Sequence, residues 1–326
     1  MRRISGRTLA AAALSLLVLH TTAWMVAVVW LESTVENSEA GLRAQGWRID
    51  HGAYARGGWP FAARVTMPDV RLVEGARTWQ SAGFEIALEI GHPTRVATQL
   101  IGPHVLGLPG GTPVPISGPP VLGTFGLFAP YAAHIEARDL RASAVGRQIR
   151  LHALDIAAED DPGHGPPLNA IVLRGTANGL DFSDTLSANA LPGRIEQIAL
   201  DAGIKGLATG AATAQAWRAA GGQLSIHRLT LRWGGFDGEL GGVFGLDARL
   251  QPEGNGMIAA GGLPETIDAA VGAGVVPAGT ARTAKALLRL VPRTPDGKLT
   301  VPLALKDRTL SAARLPVIVL PEIQWR

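Results

Sequence analysis

The stretch from Gln223 to Leu250, QLSIHRLTLRWGGFDGELGGVFGLDARL, decides the fold class. Apolar residues alternate with polar ones, the two-residue period of a strand that shows opposite faces at successive positions. Leu224 and Ile226 lie on one parity, and Leu229, Leu231 and Trp233 on the other. A phase slip of one residue at His227-Arg228 is what a β-bulge produces. Gly234-Gly235-Phe236-Asp237 reads as a hairpin turn. Beyond it Leu240, Phe244, Leu246, Ala248 and Leu250 share a face, opposed by Glu239, Asp247 and Arg249. Two amphipathic strands joined by a tight turn belong to an antiparallel sheet that is wet on one side.

The same rhythm extends outward. Arg64–Met67 alternates, Val70 and Leu72 resume the pattern, and Phe84, Ile86, Leu88 and Ile90 face away from Glu85, Ala87 and Glu89. Further strands are expected at 131–144, 147–158, 168–179, 194–206, 298–305 and 308–320. Short helices are expected at 211–220, stopped by Gly221-Gly222, and at 265–273 and 277–290. Residues 102–120, GPHVLGLPGGTPVPISGPP, are rich in residues that interrupt a ladder and read as a surface crossing. The fold class is therefore mainly β with minor α: curved or layered antiparallel sheets with a few short packed helices. Two β-rich parts, 45–206 and 207–326, are expected, joining between 200 and 210.

From Leu9 to Leu31 no charged side chain occurs, and such a helix is long enough for a bilayer's hydrocarbon core of roughly 30 Å. Arg2, Arg3 and Arg7 precede it in a basic tail over residues 1–8, while Glu32, Glu36 and Glu39 follow in a polar stem over 32–44. By the positive-inside rule the N-terminus is cytoplasmic and the body lies in the periplasm of a bacterium, with the inner membrane as the partner of residues 9–31. A cleaved signal peptide is the competing reading. Its apolar core would be shorter and would end at a small-x-small site, which Ala27-Val28-Val29-Trp30-Leu31-Glu32 does not supply. His20, beside Thr21 and Thr22, reads as a locally hydrogen-bonded histidine, with a proton relay as the alternative.

Composition narrows the function. Without Arg2, Arg3 and Arg7 the chain carries 27 basic and 27 acidic residues and no dense basic run, so no nucleic-acid partner is expected. The chain has no cysteine, which excludes disulfides, thiolate nucleophiles and cysteine-ligated metals. Glycine (41) and proline (22) imply many turns and few long helices.

Both ends of the chain carry a resemblance. WRAAGGQLSIHRLTLRWG (217–234), GELGGVFGLDARLQPEGNGMIAAGG (238–262), a helical pair and VPLALKDRTLSAARLPVIVLPEIQW (301–325) follow an order that resembles the uncharacterised membrane-anchored bacterial family called domain of unknown function 2125. The apolar helix followed by GWRIDHGAYARGGWPFAARVTMPDVRL (46–72) is similar to the front of that family. These motifs are structural glycines, aromatics and alternating strands; the resemblance implies a fold and transfers no catalytic residue. A looser similarity is to envelope proteins with long curved sheets that handle lipid or support outer-membrane assembly.

Candidate chemistry is sparse. His51, His92, His104, His134, His152, His164 and His227 are scattered, although His134 and His152 fall on neighbouring strands. Glu159, Asp160, Asp161 and His164 read as an acidic turn rather than a cation loop, since EF-hand spacing is missing. Gly254-Asn255-Gly256-Met257-Ile258-Ala259 matches GxGxxA but is followed by alternation rather than a helix, so a strand is expected there. No catalytic, cofactor or metal residues are assigned, and no cofactor is expected. The one candidate contact element is an apolar turn at Trp59, Pro60 and Phe61. It reads either as a tip for lipid or a partner, or, more ordinarily, as a turn whose Trp59 and Phe61 fold back over the core. The expected function is a non-enzymatic periplasmic module that binds a lipid or an envelope-assembly partner through an apolar sheet face. The alternatives are a structural scaffold of the inner membrane and an envelope hydrolase.

Overall fold

The computed structural model describes all residues except 1–5, 145–146, 162–169, 183–192, 207–213, 273–275, 290–291, 296, 314 and 326. The described strands hydrogen-bond into one large antiparallel sheet, and the chain divides into two compact units. The first comprises Met1–Phe128 with Ala142–Val145, and the second Ala129–Arg141 with Gly146–Arg326.

Unit 1 begins with helix α1 (Gly6–Ala44) and continues through β1 (Arg48–Asp50), β2 (Ala55–Gly57), β3 (Ala62–Glu74), β4 (Arg77–Glu89), β5 (Arg95–Gly107), β6 (Val114–Ser117) and β7 (Val121–Gly126). β3 pairs with β1, β2 and β4; β4 pairs with β5, which also receives β6 and β7. Alternation puts Ala63, Val65 and Met67 of β3 and Ile86 of β4 on one face, where α1 covers them. Val28, Leu31 and Val35 fall on one helical stripe and complete the core with Val70 and Val96. The polar stem expected at 32–44 is thus the continuation of α1, docked on the sheet rather than standing off it. By contrast, Ala10 to Leu19 of the same helix is exposed throughout.

Unit 2 holds β8 (Ala132–Ala144) as far as Arg141, β9 (Arg147–Asp160), β10 (Ala170–Phe182), β11 (Arg194–Lys205), α2 (Ala214–Ala219), β12 (Gln223–Trp233), β13 (Phe236–Leu246), β14 (Pro252–Gly261), α3 (Leu263–Gly272), α4 (Ala278–Leu288), β15 (Leu299–Lys306), β16 (Thr309–Ala312) and β17 (Leu315–Val319). From β9 to β17 each strand pairs with the next. The expected bulge is present: the β12–β13 register jumps from Ile226↔Gly242 to Leu229↔Leu240. α2 is pinned by Trp217, whose indole N–H donates to the Lys205 carbonyl at 2.7 Å. The C-terminal tail is strapped by Gln251, whose side-chain amide donates to the Ile323 carbonyl (3.0 Å) and accepts from the Ile323 N–H (2.9 Å).

Four expectations need correction. The division falls after Phe128 rather than at 200–210, because β10, β11 and β12 form one unbroken ladder across that join, with Ile171↔Ile204↔Leu224 in register. The Gly/Pro stretch is not wholly a crossing. β5 runs through it to Gly107, with Gly102-Pro103 bulged out where pairing jumps from Gly83↔Ile101 to Ser81↔His104. β13 ends at Leu246, so Ala248 and Leu250 sit in a turn whose Arg249 and Gln251 N–H groups both donate to the Asp247 carboxylate. The last strand is two, β16 and β17, broken near Ala313, which has φ +51°.

Candidate functional site

Two surfaces have the chemistry of a contact site. The first is the seam where α1 meets unit 1. Arg56 of β2, together with His51 and Tyr54 of the loop between β1 and β2, reaches the flank of the helix. Arg56 of β2 holds Glu32 through two bonds of 2.7 and 2.8 Å, which raises the guanidinium further above its ordinary value. About two turns along, buried Glu39 accepts from Arg43 (2.9 Å) and the Tyr54 hydroxyl (3.2 Å) and pairs with His51 (2.9 Å). Burial, and then the Glu39 charge, push the Tyr54 phenol up to about 12. Two charged anchors, Glu32 and Glu39, about two turns apart on the same side of the helix, fix both the rotation and the height of α1.

Toward the N-terminus the same seam becomes apolar. The Trp24 indole N–H donates to the Ala62 carbonyl at 2.7 Å, and His20 Nε2 lies 2.8 Å from the Pro60 carbonyl. His20 is therefore held by the body and not by its threonine neighbours, whose hydroxyls bond to Leu17 and Val18. The turn at Trp59, Pro60 and Phe61 sits beside this half of the helix. Its aromatic side chains stand out, Trp59 50% and Phe61 81% exposed, instead of folding back over the core. At the opposite end of α1 a pocket of about 300 Å³ opens between helix and sheet, lined by Val35, Leu42, Met67, Leu72, Trp79 and Phe84, with Glu39 and His51 at its rim. Next to Trp79, His104 is 6% exposed and stacks on the indole; burial lowers its pKa, and its Nδ1 has no partner.

The second surface is one face of unit 2. Register aligns Ile156 with Gly175, Gly175 with Leu200, Leu200 with Leu229, Leu229 with Leu240, Leu240 with Ile258, and Ile258 with Val301. Parallel rows add Ile198↔Leu231 and Leu224↔Phe244. Seven strands, β9 to β15, contribute, and six interstrand steps of ~4.8 Å make a strip about 29 Å across. Leu200, Leu224, Leu229, Leu231, Leu240 and Phe244 are only half-buried. Glycines 242, 254 and 256 keep the strip shallow where Phe244 crosses it; a Cβ at Gly254 would fall 2.2 Å from the Val243 carbonyl oxygen. The GxGxxA segment thus lies inside β14, as strand packing requires.

Charged pairs flank the strip on both faces. His134 Nε2 meets Asp155 at 2.8 Å and His227 meets Asp201 at 3.3 Å on the opposite face, while His152 Nε2 meets Asp181 at 2.7 Å on the strip's own face, at its edge. His134 and His152 do occupy adjacent strands, yet each is matched to a different carboxylate. Donation from Arg150 holds the Asp139 carboxyl below the usual carboxylate range. His134, Glu136 and Asp155 are the group among the described residues whose ligand atoms approach within 4.8 Å, on an exposed surface. Of the acidic turn, Glu159 pairs with Arg174 and Asp160 accepts from the Tyr131 N–H, while His164 lies outside the described residues. The sequence offered no signal for the cross-strand partners of these histidines, which lie 21 to 29 residues away in the chain.

No curated protein and no solved structure is detectably similar to this chain. A bacterial family described as an uncharacterized protein conserved in bacteria, domain of unknown function 2125, matches residues 24–321. That span covers most of the chain and nearly all of both candidate surfaces, from Trp24 on, so the chain belongs to this family.

Proposed function

We propose that the protein is a single-pass inner-membrane protein whose body lies on the periplasmic side and binds an acyl chain of a lipid along the apolar face of unit 2. The observation that carries this reading is the half-buried strip from β9 to β15. An ordinary sheet of this extent closes its apolar face under a second layer, and leaving leucines half-dry costs about 25 cal/mol for each Å² of apolar surface still wet. An apolar chain lying in the strip would recover that free energy. α1, long and apolar enough to cross a membrane, supports the placement beside a lipid source, and Arg7 ahead of Glu32 supports the orientation.

The test is photo-crosslinking. Benzoylphenylalanine replaces Leu229 or Leu240, and Arg228 serves as a control on the opposite face. Irradiation of full-length protein in native membranes followed by mass spectrometry should recover lipid adducts from the two leucine positions only. Capture of neither lipid nor protein there refutes the reading. Capture of protein alone moves it to an envelope-assembly partner on the same face.

A further inference from the structure

The length of α1 and the place where the body grips it disagree with a simple tether. Among the described side chains, those of Arg7 and of Ala10 to Leu19 stand clear of the sheet, and from Arg7 to Leu19 the helix rises about 18 Å at 1.5 Å per residue. The hydrocarbon core of a bilayer is about 30 Å thick. From His20 to Leu31, another 16 Å or so, the helix is docked on one side: His20 on the Pro60 carbonyl, Trp24 on the Ala62 carbonyl, and Val28 and Leu31 fully in the core. The uncharged segment that must cross the membrane is therefore the same segment that packs against the sheet.

What the sheet presents at that level is apolar. Register brings the start of β3, the end of β4, the start of β5 and the end of β7 to one end of unit 1, through Ala62↔Glu89, Leu88↔Val96 and Arg95↔Gly126. The loops there carry Phe61 (81% exposed), Phe128 (66%), Trp59 (50%) and Ile90 (50%). Ile90 and Pro93 lie against the helix itself, sharing a groove with His20, Ala23 and Trp24. Much of the backbone of this end is paired as well. Gly58 O accepts from Phe61 and Ala62, Phe61 O from Ile90, and Thr94 O from Leu127, while α1 side chains serve Pro60 and Ala62. Satisfied carbonyls are the condition for entering lipid. Charged and polar side chains at the tip, Glu89, His92 and Arg95, set the limit of depth, because they belong among headgroups.

We infer that this end of unit 1 is a membrane wedge: Trp59, Phe61, Ile90 and Phe128 enter the outer leaflet beside α1, to the boundary between headgroups and acyl chains. The sheet end, and not the helix alone, fills the upper part of the leaflet. This rests on the membrane-anchored reading of α1, and the experiment separates the two. A cysteine-free chain allows clean single-cysteine labelling. Phe61→Cys and Phe128→Cys report on the wedge, Leu16→Cys on the free helix, and Arg77→Cys on the far hairpin of the same sheet. Each full-length variant, carrying an environment-sensitive fluorophore, is reconstituted into phosphatidylethanolamine–phosphatidylglycerol vesicles containing doxyl-labelled phosphatidylcholine. The labels at 61 and 128 should lose more than half their emission with a quencher high on the acyl chain and less with one near its end. The label at 16 should respond to the deep quencher and the label at 77 to neither. Quenching at 16 without quenching at 61 and 128 overturns the wedge and leaves the anchor standing; no quenching at 16 overturns both. All four positions are exposed, so the variants keep the fold.

Discussion

Val65 is the position where the packing argument can be tested most sharply. It has no exposed surface and sits between Val28 and Leu31 of α1 and Ile86 of β4. Val65→Thr keeps the volume and the β-branched shape, so neither strand propensity nor a cavity enters the comparison. What changes is one hydroxyl placed among aliphatic side chains. Burying such a group without a partner costs about 1–3 kcal/mol in proteins. At about 2 kcal/mol the folded-to-unfolded ratio falls roughly thirtyfold. For a unit of this size, that is about 7 °C in Tm. The matched control is Val243→Thr in β13, where the side chain is 48% exposed and the change should stay within about 0.5 kcal/mol. Urea unfolding in mild detergent, followed by tryptophan fluorescence, measures both. If the two variants shift the midpoint equally, α1 does not seal the sheet in solution as it does in the structure.

Two further outcomes follow from other positions. His104 is buried and its pKa is lowered, so below about pH 6.5 the unfolded chain takes up a proton that the folded chain refuses. Stability contributed by the neutral ring is present above that pH and is lost as pH falls, so wild type should lose more urea resistance between pH 7.5 and 5.5 than His104→Phe; equal losses would refute it. Gly254→Ala drives a methyl group toward the Val243 carbonyl oxygen and should destabilise the protein by more than about 2 kcal/mol. Gly57→Ala, with open space around it, should cost nothing measurable in the same thermal melts.

Much of the fold was legible because it is written in local alternation. The bulge at His227-Arg228, the hairpin at Gly234-Gly235 and the alternating strands around Arg64–Leu72 and Phe84–Leu88 all follow from parity that neighbouring residues carry. What alternation does not encode is which strands meet over distance, and this is where the reading fell short. Nothing local says that β11 and β12 continue one ladder past residue 206, or that Pro103 can remain in β5 by bulging out of it. The site was harder still. Leu9–Leu31 announces itself as apolar, but no periodicity tells that His20 and Trp24 spend their N–H groups on carbonyls 40 and 38 residues away. The exposure of Trp59 and Phe61 likewise depends on what stands beside the turn. Apolar composition revealed an open face only once register had gathered Leu200, Leu229 and Leu240 into a row.

The strap formed by Gln251 has a practical side. A glutamine amide places an N–H donor beside a carbonyl acceptor at nearly the spacing of a peptide unit, so the tail at Ile323 pairs with it as with the next residue of a neighbouring strand. The loop after β13 and the last residues of the chain are thereby closed into a latch, with the Trp325 indole donating to Leu250 as its second catch. Trimming the chain before Ile323 releases a turn 72 positions earlier.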